Sequence, residues 1–244
     1  MTKRRKEERI DMGKLYLIPS PLGDNDPAQV LPKTVFETIA SVRKYVVEEV
    51  RTARRFLSRA GLKGMIDSLE FRELNEHTDI SEIEGLLSLF EDGSDVGLIS
   101  EAGLPAVADP GAQLVALAHR RGIEVVPLTG PSSLMLALMA SGLNGQSFAF
   151  CGYLPAKTDE RRARLRAIEK ISAAHSQTQI FIETPYRNDA MFKDILASCN
   201  PSTRLCVACN VTMPDAFIRT MTVGQWKSSV PVIGKRPCVF CLLA

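Results

Sequence analysis

The chain has 244 residues, of which 45% are hydrophobic and 24% are charged, a balance typical of a globular protein with a sizeable core. The formal net charge is only +2, so the total charge does not indicate a nucleic-acid partner. The longest fully apolar run, around 134–140, is far too short to span a bilayer, and no apolar segment follows the basic start to make it a secretion signal. We therefore expect a cytoplasmic protein with reduced cysteines, in which residues 1–13 form a disordered basic arm.

Predicted strands and helices alternate through the first half of the chain. Apolar runs and turn signals predict strands at 15–18, 45–47, 71–74, 96–99 and 124–128. Helical periodicity falls between these strands, at 34–40, 52–60, 81–90 and 113–121. Alternation at this spacing is typical of a mostly parallel sheet with helices on its faces, joined by right-handed crossovers.

The pattern changes after Leu128. Helices are predicted at 134–141, 159–171 and 189–197, with strands at 148–153 and 179–182 between them. Three strand-like segments then finish the chain, at 204–211, 216–223 and 238–243. Consecutive strands without intervening helices indicate antiparallel pairing, and hence a mixed sheet. We predict an α/β fold of two domains, an N-terminal α/β domain at 14–129 and a C-terminal mixed α/β domain at 130–244.

The stretch VGLISEAGLPAVADPG, at 96–111, is the most informative part of the sequence. A short buried strand ends at Ser100, a loop rich in glycine and proline carries Glu101 and Asp109, and a helix follows. The turns PSPLGD, EEVR and LNEH also follow predicted strands, so a parallel sheet would gather these loops along one edge, where open α/β sheets bind ligands. Ser132 and Ser133 begin a later helix, where they and backbone N–H groups could hold a carboxylate.

Familiar cofactor and metal signatures are missing or unconvincing. No G-x-G-x-x-G follows the first strand and no Walker sequence occurs, which argues against dinucleotide and P-loop sites. Two C-x-x-C pairs, Cys206 with Cys209 and Cys238 with Cys241, have the spacing of a structural zinc site. Both pairs lie in strand-like segments, where residues three apart point to opposite faces of a sheet. We interpret the four cysteines as core residues and predict no metal site.

Two predicted helices carry clusters of basic residues. Arg51, Arg55 and Arg59 recur at helical spacing on one face. A second cluster lies at the start of the helix predicted at 159–171 and consists of Lys157, Arg161, Arg162, Arg164 and Arg166. Such clusters bind phosphate backbones, but they are equally typical of a solvated face with glutamate partners such as Glu160 and Glu169. The sequence leaves both interpretations open.

Five motifs occur in order along the chain: LYLIPSPLGD, SEAGLPAVADPG, VVPLTGPSS, FAFCGYLPAK and IFIETPYRN. Together they resemble the tetrapyrrole methylase superfamily of S-adenosylmethionine-dependent methyltransferases. More narrowly, the chain looks like the branch that methylates a ribose 2′-hydroxyl in bacterial small-subunit ribosomal RNA, and the resemblance runs from about Leu15 to the C-terminus. It implies two α/β domains, a cofactor folded into the cleft between them, an RNA acceptor and a homodimer.

The resemblance also implies roles for individual residues. The cofactor is expected to contact residues from both halves of the chain: Pro21, Ser100, Glu101, Ala102, Gly103, Ala106, Ser132, Ser133, Glu183 and Met213. A ribose hydroxyl is a poor nucleophile, so we expect a base, Glu101 or Glu76, with Glu49 behind them. Glu101 is equally suited to bind the amine or ribose hydroxyls of the cofactor. Three basic residues are expected to position RNA phosphates without reading sequence: Arg51, Arg55 and Lys157.

Departures from the branch leave the acceptor open. The branch usually has Asp-Ala-Gly-Thr-Pro where this chain has EAGLP at 101–105, Asn in place of Asp24, and Glu-Asp-Thr-Arg in place of EEVR at 48–51. These differences lie on the side where the acceptor is expected. Two alternatives therefore stand beside RNA methylation. One is a methyltransferase acting on a tetrapyrrole or another small molecule, and the other is a non-catalytic binding module with a degenerate cofactor site.

Overall fold

The computed structural model describes residues 12–244, so most of the expected basic arm lies outside the described residues. The chain divides into two compact units, one ending at Pro131 and the other beginning at Ser132. No helix within residues 12–244 is both long and apolar enough to cross a membrane.

The first unit contains a five-stranded parallel sheet. Its strands are β1 (Leu15–Leu17), β2 (Lys44–Val47), β3 (Glu70–Glu73), β4 (Val96–Ile99) and β5 (Val125–Pro127). Its helices are α1 (Pro27–Val30), α2 (Lys33–Ser41), α3 (Val50–Leu57), α4 (Ile80–Gly85) and α5 (Ala112–Arg121). The strand order is β3-β2-β4-β1-β5, and every neighbouring pair is parallel. The predicted parallel sheet is therefore confirmed.

The central position of β4 follows from its sequence, VGLI. All four residues are buried, as a strand covered on both faces requires. A Cβ atom on Gly97 would lie 2.7 Å from Ile18 Cδ1 and 2.9 Å from Tyr45 Cδ1, closer than real Cβ atoms approach their neighbours. Glycine at this position therefore lets the side chains of the adjacent strands close over β4.

Two predicted helices of the first unit are shorter than expected. The helix predicted at 52–60 ends at Leu57 and continues as a wider turn over Ser58–Leu62, in which Gly61 has a φ of 112° that breaks the helical path. The helix predicted at 81–90 is α4 followed by a tighter 3-10 turn, Leu86–Phe90. This change falls at Gly85, a residue with low helix preference.

The second unit contains a five-stranded mixed sheet. Its strands are β6 (Phe148–Tyr153), β7 (Thr178–Glu183), β8 (Arg204–Cys209), β9 (Phe217–Thr222) and β10 (Cys238–Leu243). Its helices are α6 (Ser133–Ser141), α7 (Thr158–His175), α8 (Asn188–Ser198) and α9 (Val223–Ser228). The order is β6-β7-β10-β8-β9, with only β6 and β7 parallel, so the mixed sheet is confirmed.

Helix α9 was not predicted, and its first residue, Val223, was assigned to the strand predicted at 216–223. Thr222 ends β9 and forms a capping box with Gln225, which starts the helix. Trp226 of α9 is buried in the core of the second unit, and its indole Nε1 donates a 2.9 Å hydrogen bond to the carbonyl of Leu205. The helix therefore covers one end of that core.

The four C-x-x-C cysteines form two cross-strand pairs. Cys209 lies opposite Cys238 and Cys206 lies opposite Cys241 in the β8–β10 ladder. The first pair belongs to the core cluster packed under α7 and α8, with its sulfur atoms 3.2 Å apart. The second pair points to the other face of the sheet, because residues three apart on a strand alternate sides. Since the pairs occupy opposite faces, the four thiols cannot surround one metal ion.

Candidate active site

Two loops at the carboxyl edge of the first sheet are hydrogen-bonded to each other. Because all five strands are parallel, the loops that follow them leave from the same edge. The amide of Ser20 donates to the carbonyl of Gly103 (2.9 Å), and the amide of Gly103 donates to the carbonyl of Ser20 (3.1 Å). The hydroxyl of Ser20 also donates to the carbonyl of Ser100 (3.3 Å). The PSPLGD and EAGLP turns therefore form one connected surface.

The loop after β4 has unusual backbone conformations. Gly103 has a φ of 80°, and a Cβ atom there would lie 3.1 Å from Leu22 Cδ2. Ala106 and Ala108 both have a φ of 64°, a left-handed conformation that non-glycine residues adopt at a cost. Strain of this kind persists only where surrounding structure holds the loop, and it is concentrated at ligand-binding sites.

A cavity of about 500 Å³ opens between this connected surface and helix α3. Its volume is within the range of small-ligand sites. Its walls combine apolar, basic and acidic groups, including Pro21, Leu22, Thr52, Arg55, Glu101 and Ala102. Three residues expected at the site from sequence, Pro21, Glu101 and Ala102, and one expected phosphate contact, Arg55, therefore line the same cavity.

Four carboxylates influence one another beside this cavity. Burial raises the pKa of Glu48, as do the negative charges of Glu101 and Glu76, while the amide of Glu101 opposes the change by donating to Glu48 Oε2 (3.3 Å). Burial also raises the pKa of Asp109 to about 6, with further contributions from the charges of Glu48 and Glu101. The structure thus brings the two predicted bases, Glu76 and Glu101, close to two acids absent from the predicted site.

Glu49 is a helix cap in this structure. Its Oε1 accepts a hydrogen bond from the amide of Arg51 (2.8 Å), and its Oε2 accepts bonds from the amide (2.6 Å) and hydroxyl (2.7 Å) of Thr52. The hydroxyl and amide bonds lower the pKa of Glu49. Both oxygens are thus committed to the start of α3, which disfavours the reserve role of base expected from sequence. Adjacent glutamates give no local signal of which one caps the helix.

The arginines of α3 and of the wider turn after it divide into side chains with and without an ion pair. Arg59 binds Asp24 (2.6 Å) and Arg54 binds Asp67, so both serve as local ion-pair partners. Arg51 and Arg55 are exposed, and no ion pair to either is found within residues 12–244. Of the three arginines that shared a face in the sequence, Arg51 and Arg55 therefore remain available to a ligand.

The basic cluster of α7 also changes character in the fold. Arg161 is buried, and its Nε donates a 2.7 Å hydrogen bond to Asp194 of α8, which accepts a second 2.7 Å bond from Arg162. Lys157, at the start of α7, is exposed and pairs with Glu160 at 3.3 Å. Arg161 is therefore structural, whereas Lys157 lies on the surface as expected.

Three residues expected to contact ligands follow strands of the second sheet. Strands β6, β7 and β8 run in the same direction, so Lys157, Glu183 and Met213 leave from one edge. Met213 lies in a tight loop whose neighbours Asn210 and Thr212 have φ values of 48° and 76°. This edge thus repeats, in the second unit, the strained backbone seen after β4.

Glu183 is fully enclosed. Its Oε1 accepts hydrogen bonds from Arg187 Nη2 (2.6 Å), Arg187 Nε (2.9 Å) and the amide of Thr184 (2.7 Å). Its Oε2 is buried, and no donor to it is found in the described part of the chain. A buried carboxylate oxygen without a donor is costly, so a ligand donor at this atom would be favoured.

The expected serines lie at the start of α6. Ser132 is the N-cap, and its hydroxyl accepts a 3.4 Å hydrogen bond from the amide of Met135. Ser133 is the first residue of the helix, where backbone N–H groups lack helical partners. Such a helix start favours an anionic group.

Comparisons with known proteins identify the family of this chain. Residues 14–226 match the family described as Tetrapyrrole (Corrin/Porphyrin) Methylases. Ribosomal RNA small subunit methyltransferase I of Escherichia coli O157:H7 is 31% identical over 223 residues, covering 91% of this chain and 74% of that protein. The protein of the same name from Neisseria meningitidis serogroup B is 33% identical over 236 residues, covering 96% of this chain and 76% of that one.

Solved structures share the fold at lower sequence identity. The methyltransferase CobJ aligns with a TM-score of 0.64 and 16% identity, over 95% of this chain and 94% of that one. Uroporphyrin-III C-methyltransferase from Thermus thermophilus, solved in complex with S-adenosylhomocysteine, aligns with a TM-score of 0.57 and 19% identity, over 95% of this chain and 97% of that one. With a family match across most of its length and relatives above 30% identity, this chain belongs to the tetrapyrrole methylase family.

Proposed function

We propose that this protein is an S-adenosylmethionine-dependent methyltransferase that methylates a ribose 2′-hydroxyl of small-subunit ribosomal RNA. The observation that carries the proposal is its similarity, at 31% and 33% identity over more than nine-tenths of its length, to two enzymes named as small-subunit ribosomal RNA methyltransferases. The cavity of the first unit supports it, because exposed arginine and carboxylate groups stand together there. Arginine can hold a phosphate while a carboxylate meets a hydroxyl.

The residues present fit the proposed cofactor. The amides at the start of α6 suit the carboxylate of S-adenosylmethionine, and Glu101 or the free oxygen of Glu183 suits its amine. Gly103 has no Cβ, which lets the loop after β4 pack against Leu22 in a left-handed conformation. When bound, the cofactor supplies a methyl group on a positively charged sulfur. The proposed contacts are Pro21, Ser100, Glu101, Ala102, Gly103, Ala106, Ser132, Ser133, Glu183 and Met213.

The protein itself contributes positioning and charge. Arg55 at the cavity wall, with Arg51 and Lys157, holds phosphates of the RNA, and Glu101 or Glu76 meets the acceptor hydroxyl. Aligning the reacting atoms at about 3–3.5 Å supplies much of the acceleration in such a transfer. We propose a cytoplasmic location, because an enzyme that modifies ribosomal RNA needs access to it there.

Calorimetry and methyl transfer test the proposal together. The purified protein is titrated with S-adenosylmethionine and with S-adenosylhomocysteine, and micromolar binding is expected. Small ribosomal subunits from a strain lacking this protein are then incubated with tritium-labelled cofactor, and label should appear at one ribose. Label in an added tetrapyrrole but not in RNA would favour the small-molecule alternative. Absence of binding by folded protein would contradict the cofactor itself.

We also propose that the second unit mediates homodimerisation. Its exposed apolar side chains include Met135 at 43%, Met139 at 76%, Phe148 at 41% and Phe150 at 39%. Phe148 and Phe150 alternate along edge strand β6 with Cys151, which packs into the core, so they point away from that core. Exposed apolar side chains favour an interaction surface where they lie side by side, which we propose for these four residues. Sedimentation should give a dimer, and Met139→Glu should give a monomer; a monomeric wild type would contradict the proposal.

A further inference from the structure

Glu48 has an environment that the roles assigned above do not explain. It follows β2 directly and is half-buried. Its Oε2 accepts the amide hydrogen of Glu101 at 3.3 Å, which fixes the carboxylate against the loop after β4. No hydrogen bond to its Oε1 is found among residues 12–244. One oxygen is thus held by the backbone and the other is free.

A small recess lies beside this carboxylate. It has a volume of about 10 Å³, and its lining includes Glu48, Ser20, Thr52, Ser100 and Glu101. This volume is about that of one water molecule or one hydroxyl group. Ser20, Thr52 and Glu101 also line the cavity of about 500 Å³, so the two spaces are neighbours. A hydroxyl group entering from the larger cavity would reach Glu48 in this recess.

The other acids nearby fit this position less well. Both oxygens of Glu49 cap α3. Glu76 has a side chain that is 83% exposed, and it lines neither space. Asp109 lines neither space, and Glu101 is exposed at the mouth. Glu48 alone among these five acids combines a fixed position, a free oxygen and a place in the recess.

We propose that Glu48, in place of Glu101 or Glu76, is the base that removes the proton from the acceptor hydroxyl, an inference that rests on the proposed methyltransferase function. As the acceptor oxygen forms its bond to the methyl carbon, its proton passes to Glu48 Oε1. The electron pair of the broken carbon–sulfur bond stays on sulfur, which becomes neutral. Glu48 therefore ends the step as a neutral acid and returns its proton to solvent.

The environment of Glu48 suits this task. Burial and the charges of Glu101 and Glu76 raise its pKa above the ordinary value of 4.5. A base works best when its pKa lies nearer the operating pH, because a stronger base accepts the proton more readily. Glu101 thus supports the reaction through Glu48, as a positioning residue whose amide holds Oε2.

Glu48→Gln tests the proposal, with Glu73→Gln as the matched control. The amide of glutamine keeps the size of the side chain and an oxygen for the Glu101 amide, but it cannot take a proton. Glu73 ends the adjacent strand β3, opposite Val47, and its carboxylate is exposed. Single-turnover methyl transfer to small ribosomal subunits should fall about 100-fold or more in Glu48→Gln and stay at the wild-type rate in Glu73→Gln.

Three further measurements separate a base from a structural role. The Kd values for S-adenosylhomocysteine and for RNA should match the wild type in Glu48→Gln, and the melting temperature should not be lower than that of the wild type. The wild-type rate should rise with pH through the pKa of Glu48, and this rise should be absent from the residual rate of Glu48→Gln. Glu48→Asp keeps a carboxylate and should recover part of the rate.

The other possible results would overturn either the role of Glu48 or the proposed function itself. A Glu48→Gln rate within about threefold of wild type would overturn the base while leaving the methyltransferase function intact. A loss explained by weaker RNA or cofactor binding, or by a lower melting temperature that Glu48→Asp shares, would also overturn it. Wild-type protein that labels no RNA would overturn the proposed function, and the base with it, since Glu48 would have no reaction to serve.

Discussion

At the scale of single residues, the burial of Asp109 makes the stability of the folded protein depend on pH. Its folded-state pKa of about 6 lies above the ordinary 3.8, so the folded protein binds this proton more tightly than the unfolded chain. The resulting stabilisation is fully present below pH 3.8 and is lost as pH rises through 6. Because the side chain is only half-buried, we expect Asp109→Asn to raise the free energy of unfolding at pH 7.5 by about 1 kcal/mol. Urea unfolding at pH 4.5 should give a smaller difference, because only part of the stabilisation is lost between pH 3.8 and pH 4.5.

The control for this prediction is Asp159→Asn, an exposed carboxylate in the first turn of α7. It should leave the free energy of unfolding nearly unchanged at both pH values. An Asp109→Asn protein that is less stable than wild type at pH 7.5 would show that the hydrogen bond from Ser100 outweighs the desolvation of the carboxylate.

A second prediction at the scale of single residues concerns Gly103. Its φ of 80° is a left-handed conformation, and an added Cβ would crowd Leu22. Gly103→Ala should therefore lower the free energy of unfolding by about 1 kcal/mol and weaken binding of S-adenosylmethionine. Gly64→Ala is the control, because an added Cβ there has no neighbour within 4 Å and its φ is not positive. Calorimetric titration of both variants checks this, and unchanged affinity in Gly103→Ala would remove Gly103 from the cofactor site.

At the scale of elements, one buried ion pair joins α7 to α8. Asp194 and Arg161 are both 3% exposed, whereas the side chain of Arg162 is 41% exposed. Asp194→Ala leaves the Arg161 charge buried without its partner and should cost about 3–5 kcal/mol. Arg162→Ala removes an exposed partner and should cost less than about 1 kcal/mol. Chemical denaturation measures both; equal effects would mean that solvent reaches Arg161 as readily as Arg162.

The secondary-structure elements also show which features local sequence patterns predict and which they do not. The strands of both sheets were predicted nearly at their observed bounds, because apolar runs and turn residues are local signals. Helix α9 was missed, since its capping box at Thr222 follows a strand without an intervening loop. The early end of α3 depends on the positive φ of Gly61, which a helical pattern does not reveal.

At the scale of the whole molecule, charge is nearly balanced, with 30 basic and 28 acidic residues. RNA affinity must therefore come from local groups such as Arg51 and Arg55, and it should fall steeply as salt increases. Arg55→Ala should lower the slope of log affinity against log salt by about one, whereas Arg120→Ala, an exposed arginine on α5, should leave it unchanged. Filter binding across a salt series measures the slope, and a flat wild-type response would contradict RNA binding through phosphates.

The sequence by itself determined the order of strands and helices, the parallel first sheet, the mixed second sheet and the loops that form the carboxyl edge. These follow from hydrophobic periodicity, and from whether or not a helix separates consecutive strands. Only the tertiary structure decided that Glu49 caps a helix while Glu48 faces a recess, that Arg161 is buried, and that the four cysteines pair across two strands. The physical reason is that burial, ion pairing and pKa depend on groups that folding brings together from distant parts of the chain.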